Sequence, residues 1–259
     1  MKQPFSLAFV YKRNKSFMKT VNKQVESYTR LVGLCTENGS MFNPARDAIK
    51  IDALYALLDK ARKKHQMVND THHRLMSAIN KRNDALVEMT ARCQRAMNAA
   101  RVLISQPGLL EDLRMYQAKI RGYNLGAIHG THASAFAQEG MPGSFKKSRG
   151  PIPYLTISSK LDHFAHFIRC LDVPAYVPNE PDITVAGLKA SLDELNTFYA
   201  SMLNSWAAHR IAKNQLRTVV HSEEGLYGIS KIVKLYIKSV FGARSTAFQM
   251  ISQLKFTKK

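Results

Sequence analysis

The chain is poor in acidic residues, in cysteine and in long apolar runs, and each shortage narrows the classes of protein to which the chain can belong. It has 19 Asp and Glu against 38 Lys and Arg, which gives a formal charge of +19. Cys35, Cys93 and Cys170 are too few and too far apart for a disulfide framework, so we expect free thiols in a reducing, cytoplasmic setting. No apolar run reaches the roughly 18 residues of a membrane-spanning helix.

Catalytic and metal-binding motifs are also missing. The sequence has no Gly-x-Ser-x-Gly turn, phosphate-binding loop, dinucleotide fingerprint, His-Glu-x-x-His or Cys-x-x-Cys. His163 and His166 could both touch one metal on a helix, but no third and fourth ligand is spaced nearby. His129 and His132 lie in a Gly-rich segment that favours a plain loop. We therefore expect no enzyme activity, no metal and no cofactor.

A stretch of 62 residues, 45–106, contains neither Gly nor Pro. Within it, apolar residues recur in alternating steps of three and four, the spacing that keeps one stripe of a helix facing a partner helix. This seam consists of Ile51, Leu54, Leu58, Ala61, His65, Val68, His72, Leu75, Ile79, Arg82, Leu86, Met89, Cys93, Ala96, Ala100 and Leu103. The pattern predicts a long amphipathic helix.

Two interpretations of this stretch compete. It is either one continuous helix, about 90 Å long at 1.5 Å per residue, or a hairpin that turns at Asn69-Asp70-Thr71. The unbroken phase of the seam through these residues favours the continuous helix. The polar seam residues His65, His72 and Arg82 are expected to fix the register, and the histidines suggest an assembly that is sensitive to pH.

The second half of the chain repeats the first at a constant offset of 134 residues. The matching pairs are Phe42 and Tyr176, Pro44 and Pro178, Ile49 and Ile183, Ile51 and Val185, Leu54 and Leu188, Leu58 and Leu192, and Asp59 and Asp193. A second seam continues from Val185 to Val220. The pattern predicts an all-α, elongated, coiled-coil-like helical bundle made of two copies of a short helix, a Pro-containing elbow and a long helix.

The same comparison divides the chain into three segments. Residues 1–121 form the first repeat with a basic N-terminal arm, 122–157 a Gly- and Pro-rich basic linker, and 158–259 the second repeat with a basic C-terminal tail. Short apolar patches at 5–11 and 250–256 are predicted to pair as two strands.

Two segments resemble a known group of proteins: Tyr176-Val177-Pro178-Asn179-Glu180 in the second elbow, and Tyr236-Ile237-Lys238-Ser239-Val240-Phe241-Gly242 near the end. The chain resembles an uncharacterised bacterial family of duplicated all-helical proteins. The resemblance covers both repeats and is strongest in the second. It implies a helical fold and supplies no catalytic residues, because that family has no assigned activity. The Gly-rich basic segment at 122–153 departs from its pattern.

Positive charge is concentrated in three zones: the first 25 residues, the region 114–160 and the tail after Gly225. Such zones favour polyanions, and interleaved aromatic rings are typical of nucleic-acid platforms, although packing in the core is the favoured explanation of most of these rings. The residues expected to bind a polyanion are Lys12, Arg13, Lys15, Lys19, Lys146, Lys147, Arg149, Lys231, Lys234, Lys238 and Arg244.

The sequence therefore predicts a non-enzymatic helical scaffold or self-assembling structural protein that forms a homo-oligomer and contacts nucleic acid or another polyanion. The first alternative is a membrane-active, pore-former-like helical protein that acts on anionic lipid. A third hypothesis is an enzyme with its site in the segment 122–153.

Overall fold

The computed structural model describes residues 7–122 and 156–257, except for the side chains of residues 7–16. Every regular element in these two ranges is helical, which confirms the predicted all-α class. The α-helices are α1 (Leu7–Glu37), α2 (Ile51–Leu103), α3 (Pro107–Arg121), α4 (Ile157–Leu171), α5 (Val185–His221), α6 (Leu226–Phe241) and α7 (Thr246–Ser252).

Most of the long Gly- and Pro-free stretch, Ile51–Leu103, forms one uninterrupted α-helix, α2, so the predicted continuity is confirmed and the hairpin at Asn69 is not formed. Its seam residues are buried or half-buried, with the exception of Leu103 at the last position. Pro107 lies four residues after the end of α2 at Leu103. It begins α3, where a residue without a backbone N–H donor is well tolerated because the first turn of a helix lacks acceptors.

The predicted pairing of two terminal strands is wrong. Residues 7–11 belong to α1 and residues 250–252 belong to α7. A short apolar run suits a helix face as well as a strand, so the pattern at 5–11 does not distinguish the two. At the other end, the Ser245 hydroxyl accepts a hydrogen bond from the backbone N–H of Phe248 and caps the start of α7.

The two elbows share three element boundaries at the same spacing, although the first elbow has an additional 3-10 turn at Gly39–Met41. A helix ends at Glu37 or Leu171, a 3-10 turn covers Asp47–Ile49 or Pro181–Ile183, and the long helix begins at Ile51 or Val185. These three boundaries each recur at the offset of 134 found in the sequence. A buried aromatic residue anchors each elbow, Phe42 in the first and Tyr176 in the second, and each is 4% exposed.

The chain divides into two compact units. Unit 1 comprises residues 1–76 and 204–259, and it contains α1, the first part of α2, the last part of α5, α6 and α7. Its core joins Tyr28 and Leu31 of α1 to Leu58 of α2, Leu216 of α5 and Val233 of α6. Helix α6 packs on both α1 and α7. Unit 1 is therefore a helical bundle with its own hydrophobic core.

Unit 2 comprises residues 77–203, and it contains the last part of α2, α3, α4 and the first part of α5. Its core joins Met97 of α2, Leu113 of α3, Phe164 and Phe167 of α4, and Leu188 of α5. Helices α3 and α4 pack against each other. This core shares no buried residue with that of unit 1.

The predicted division into residues 1–121, 122–157 and 158–259 follows the sequence repeats and stays a prediction, and most of its linker lies outside the described residues. The compact units divide the chain differently. The reason is that each long helix contributes its first part to one unit and its last part to the other. Within ranges 7–122 and 156–257, no helix is both long and apolar enough to cross a membrane.

Candidate polyanion-binding surface

The positive charge of the chain belongs mostly to unit 1. This unit carries 24 Lys and Arg against 8 Asp and Glu, a formal charge of +16, whereas unit 2 carries 14 against 11, a formal charge of +3. Several of the acids in unit 1 already pair with a cation on their own helical turn, as Glu26 does with Arg30 and Asp59 with Lys63. Such exposed pairs are worth little to stability, but they leave few carboxylates to offset the remaining cations.

One cationic cluster in unit 1 surrounds an aromatic ring of α1. Lys213 and Arg217, both on α5, place their charged groups 5.1 and 5.6 Å from the centre of the Phe17 ring. One turn earlier on α5, the Arg210 guanidinium lies 5.5 Å from the centre of the Trp206 ring. These distances fall within the range of cation–π attraction, which holds a long cationic side chain in place. We call Phe17, Arg210, Lys213 and Arg217 the Phe17 patch.

A second cluster lies on α6 and α7. Lys231 and Lys238 are exposed, and their ammonium groups lie 5.0 Å from the centre of the Tyr227 ring and 5.9 Å from that of Phe248, respectively. Residues 225–259 contain no acidic residue. We call Tyr227, Lys231, Lys238 and Phe248 the α6 patch.

Lys234 lies between these two lysines in sequence but has a different environment. Its half-buried ammonium group donates hydrogen bonds to the carbonyl oxygens of Leu254, at 2.5 Å, and Ser252, at 3.3 Å. It also lies 5.5 Å from the centre of the Phe256 ring. Burial lowers the pKa of this amine. Lys234 therefore fastens the segment after α7 to α6, and most of its hydrogen-bonding capacity is already used.

For the other residues predicted to bind a polyanion, the structure describes some side chains and leaves others undescribed. Lys19 and Arg244 are exposed in unit 1. Lys12, Arg13 and Lys15 lie in α1, but their side chains are outside the described part of the chain, as are residues Lys146, Lys147 and Arg149 altogether.

Sequence reasoning missed Arg210, Lys213 and Arg217, although a signal was present. These cations follow one another at steps of three and four on one helix, and residues 195–222 contain no acid. Lys213 falls on the seam that the sequence predicts from Val185 to Val220. The structure shows why a cation is tolerated there, because the ammonium group reaches the Phe17 ring instead of entering the core.

Four of the described aromatic rings of unit 1 are not left open as stacking platforms. Phe17, Tyr227, Phe248 and Phe256 each have a lysine of the same unit near the ring. Tyr28 and Phe256 also form an edge-to-face pair, with ring centres 6.5 Å apart. The arrangement therefore favours contacts from ordered cations to phosphates over base stacking.

The histidine pair of unit 2 has partners that explain it without a metal. His166 stacks on Tyr116 with ring centres 5.4 Å apart, and its Nδ1 lies 2.7 Å from the carbonyl oxygen of Asp162. His163 packs near the same tyrosine, and burial is the main cause that lowers its pKa. His129 and His132 lie outside the described residues. Among the residues that are described, no group of three or more His, Cys, Asp or Glu side chains could hold a metal ion.

The cysteines offer little to nucleophilic chemistry. Burial raises the pKa of Cys35 to about 12 and that of Cys93 to about 12, so both thiols are protonated near neutral pH. Cys170 is half-buried, and burial raises its pKa as well.

Comparison of the chain with protein-family models, with curated proteins and with solved structures gives no match. The resemblance to a bacterial family of duplicated helical proteins therefore stays a prediction from the two segments that suggested it.

Proposed function

We propose that this protein is a non-enzymatic helical scaffold whose unit 1 binds nucleic acid through its phosphate backbone. The observation that carries the proposal is the concentration of charge: unit 1 has a formal charge of +16 and unit 2 has one of +3. A surface that is only solubilising has no need to place its cations in one of two units. A polyanion does favour such an arrangement, because each phosphate contact releases counterions that had condensed on the nucleic acid.

The geometry of the cations supports phosphate contacts in particular. In the Phe17 and α6 patches, the ammonium and guanidinium groups lie over aromatic rings, so part of their side-chain freedom is already lost in the free protein. Ordering such a side chain on a phosphate then costs less conformational entropy than ordering a freely moving lysine. No base-reading motif accompanies the patches, so we expect affinity with little dependence on nucleotide sequence.

Binding to labelled duplex DNA at several salt concentrations tests this proposal. For a protein with six to ten phosphate contacts, the affinity is expected to fall by about 10³- to 10⁵-fold between 50 and 200 mM salt. Absent binding, or binding that does not change with salt, would remove nucleic acid from the proposal.

Matched double variants locate the surface. Lys231→Gln with Lys238→Gln, or Arg210→Gln with Arg217→Gln, removes two cations from unit 1, and each double is expected to lower the slope of log affinity against log salt by about 2. Arg101→Gln with Arg114→Gln removes two exposed cations from unit 2 and is the control of equal charge. An equal decrease of this slope in the control variant would show that affinity follows net charge alone.

Exposed apolar residues beside the α6 patch favour a second candidate, peripheral binding to an anionic membrane. Leu235 is 68% exposed, Val240 49% and Met250 47%, and all three belong to the acid-free segment 225–259. Apolar side chains flanked by lysines are typical of interfacial helices. Co-sedimentation with vesicles that contain anionic lipid, and leakage of their contents, test this candidate. DNA binding without vesicle binding would reject it.

The remaining parts of the proposal concern the internal duplication, the self-association and the location of the protein. We infer an internal duplication from the elbow boundaries that recur at the offset of 134. Self-association into a homo-oligomer and a cytoplasmic location remain proposed, and the free cysteines suit a reducing compartment. Sedimentation velocity over a range of concentrations tests the self-association, because a constant sedimentation coefficient would reject it.

A further inference from the structure

Two histidines meet where α2 packs against α5 inside unit 1. The ring centres of His72 and His209 are 5.4 Å apart, and His209 is only 5% exposed. The Nδ1 atom of His209 lies 3.2 Å from the Thr71 hydroxyl oxygen, and the backbone of Val68 accepts a hydrogen bond from the same ring. Each of these partners lies on α2, so the buried imidazole of α5 links the two helices.

Other cationic or titratable groups surround the pair. Lys213, one turn after His209 on α5, acts on both histidines, and His73 on α2 acts on His72. The rings of His72 and His73 have their centres 6.2 Å apart. If both imidazoles of the pair took up a proton, three positive charges would face one another in a partly dehydrated space. Charges of like sign at this separation repel strongly where little water is present.

We propose that His72, His209 and Lys213 form an acid-triggered switch, in which protonation of the imidazoles separates α2 from α5 in this part of unit 1. The proposal depends on the contact between the His72 and His209 rings and on the nearby charge of Lys213, and it does not depend on nucleic-acid binding. Its failure and the failure of the proposed function are therefore distinguishable.

The direction of the pH effect follows from the pKa values. Burial, together with Lys213 and His72, lowers the pKa of His209 to about 4, against 6.5 for an exposed imidazole. Burial, His73 and Lys213 lower the pKa of His72 in the same direction. Above pH 6.5 the rings are neutral in the packed and the separated form alike. As the pH falls from 6.5 towards 4, the separated form takes up protons that the packed form does not, so separation becomes more favourable.

The size of this effect can be stated for His209 alone. A pKa that differs by about 2.5 between the two forms changes the equilibrium between them by about 300-fold once the pH has fallen below both values. A fall in pH is expected to weaken a neighbouring contact in the same way. Burial lowers the pKa of His65, and the Nε2 atom of this residue lies 2.6 Å from the side-chain oxygen of Asn22 on α1.

Trp206, the only tryptophan of the chain, reports on this region because it lies one turn before His209 on α5. We would record the quenching of its emission by acrylamide between pH 7.5 and 4.5, together with hydrogen exchange of residues 65–76 and 204–216. For the full chain, the quenching is expected to increase as the pH falls below 6.5. The hydrogen exchange, corrected for the intrinsic exchange rate at each pH, is expected to increase as well, while the corrected exchange in the core of unit 2 changes less.

Three variants make the test specific. His209→Gln keeps a hydrogen-bonding side chain without a group that titrates, and it is expected to abolish or strongly reduce the transition. Lys213→Gln removes the neighbouring cation, and it is expected to move the transition to lower pH. His163→Gln, in unit 2, is expected to leave the transition unchanged. If His209→Gln does not fold, Lys213→Gln and His72→Gln carry the test. A native protein without a transition, or variants at positions 72, 209 and 213 that keep it unaltered, would overturn the proposal.

Discussion

The ammonium group of Lys234 lies 2.5 Å from the carbonyl oxygen of Leu254 and joins the segment after α7 to α6. Replacing Lys234 by Gln removes this charged hydrogen bond and leaves the carbonyl oxygen of the half-buried Leu254 without its donor. We expect a loss of about 1 to 2 kcal/mol in the free energy of unfolding, measured by urea denaturation.

The matched control is Lys238→Gln, because Lys238 is exposed on the same helix. The stability of this variant is expected to change by less than about 0.5 kcal/mol, while the contribution that we propose for Lys238 to DNA binding is lost. Equal stability changes in the two variants would contradict the structural role assigned to Lys234.

Two buried tyrosines differ in whether the hydroxyl group has a hydrogen-bond partner. Replacing each tyrosine by phenylalanine tests this difference. The Tyr28 hydroxyl is buried and finds no hydrogen-bond partner in the described part of the chain, whereas the Tyr176 hydroxyl donates to the carbonyl oxygen of Ile183 at 2.8 Å. Tyr28→Phe is expected to leave stability unchanged or to raise it by up to about 1 kcal/mol, because a dehydrated hydroxyl is removed.

Tyr176→Phe is expected to lower the free energy of unfolding by about 1 to 2 kcal/mol, because the Ile183 carbonyl then loses its donor. Thermal and urea denaturation of the two variants give the comparison. A clear destabilisation by Tyr28→Phe would mean that its hydroxyl has a partner in the folded protein.

Two glycines of helices in unit 1 are expected to respond to alanine in opposite directions. At Gly228, near the start of α6, an added Cβ would overlap the backbone of Glu223. At Gly33, inside α1, an added Cβ has no atom within 4 Å to meet. Gly228→Ala is expected to lower the free energy of unfolding by about 2 kcal/mol or more, because the backbone at Glu223 must move. Gly33→Ala is expected to stabilise by about 0.5 to 1 kcal/mol, since alanine restricts the unfolded chain. Denaturation curves that shift in the same direction would contradict this pair.

The helices were predictable because the spacing of apolar residues that indicates a helix is found within one short part of the sequence. The seam from Leu54 to Ala100 repeats without a break, and it predicted the continuity of α2 through Asn69. The offset of 134 likewise predicted where α5 begins, at Val185. The start of α1 was missed because a short apolar run fits a strand and a helix equally well.

The candidate surface was only partly predictable, because it depends on contacts between residues that are distant in sequence. Periodicity places Lys231, Lys234 and Lys238 on one face of α6, but only the segment that folds back over α6 removes Lys234 from solvent. In the same way, nothing near Lys213 in the sequence indicates that its ammonium group lies over Phe17. The charge of each unit also follows from the fold, since unit 1 combines the two ends of the chain.

Lysine footprinting can locate the nucleic-acid surface that we propose for unit 1. The full chain would be acetylated at low salt with and without saturating duplex DNA, and the modified lysines would be quantified by mass spectrometry. We predict several-fold protection of Lys213, Lys231 and Lys238 in unit 1, and little change at Lys160 and Lys189 in unit 2. Equal protection in both units, or protection confined to unit 2, would contradict the account.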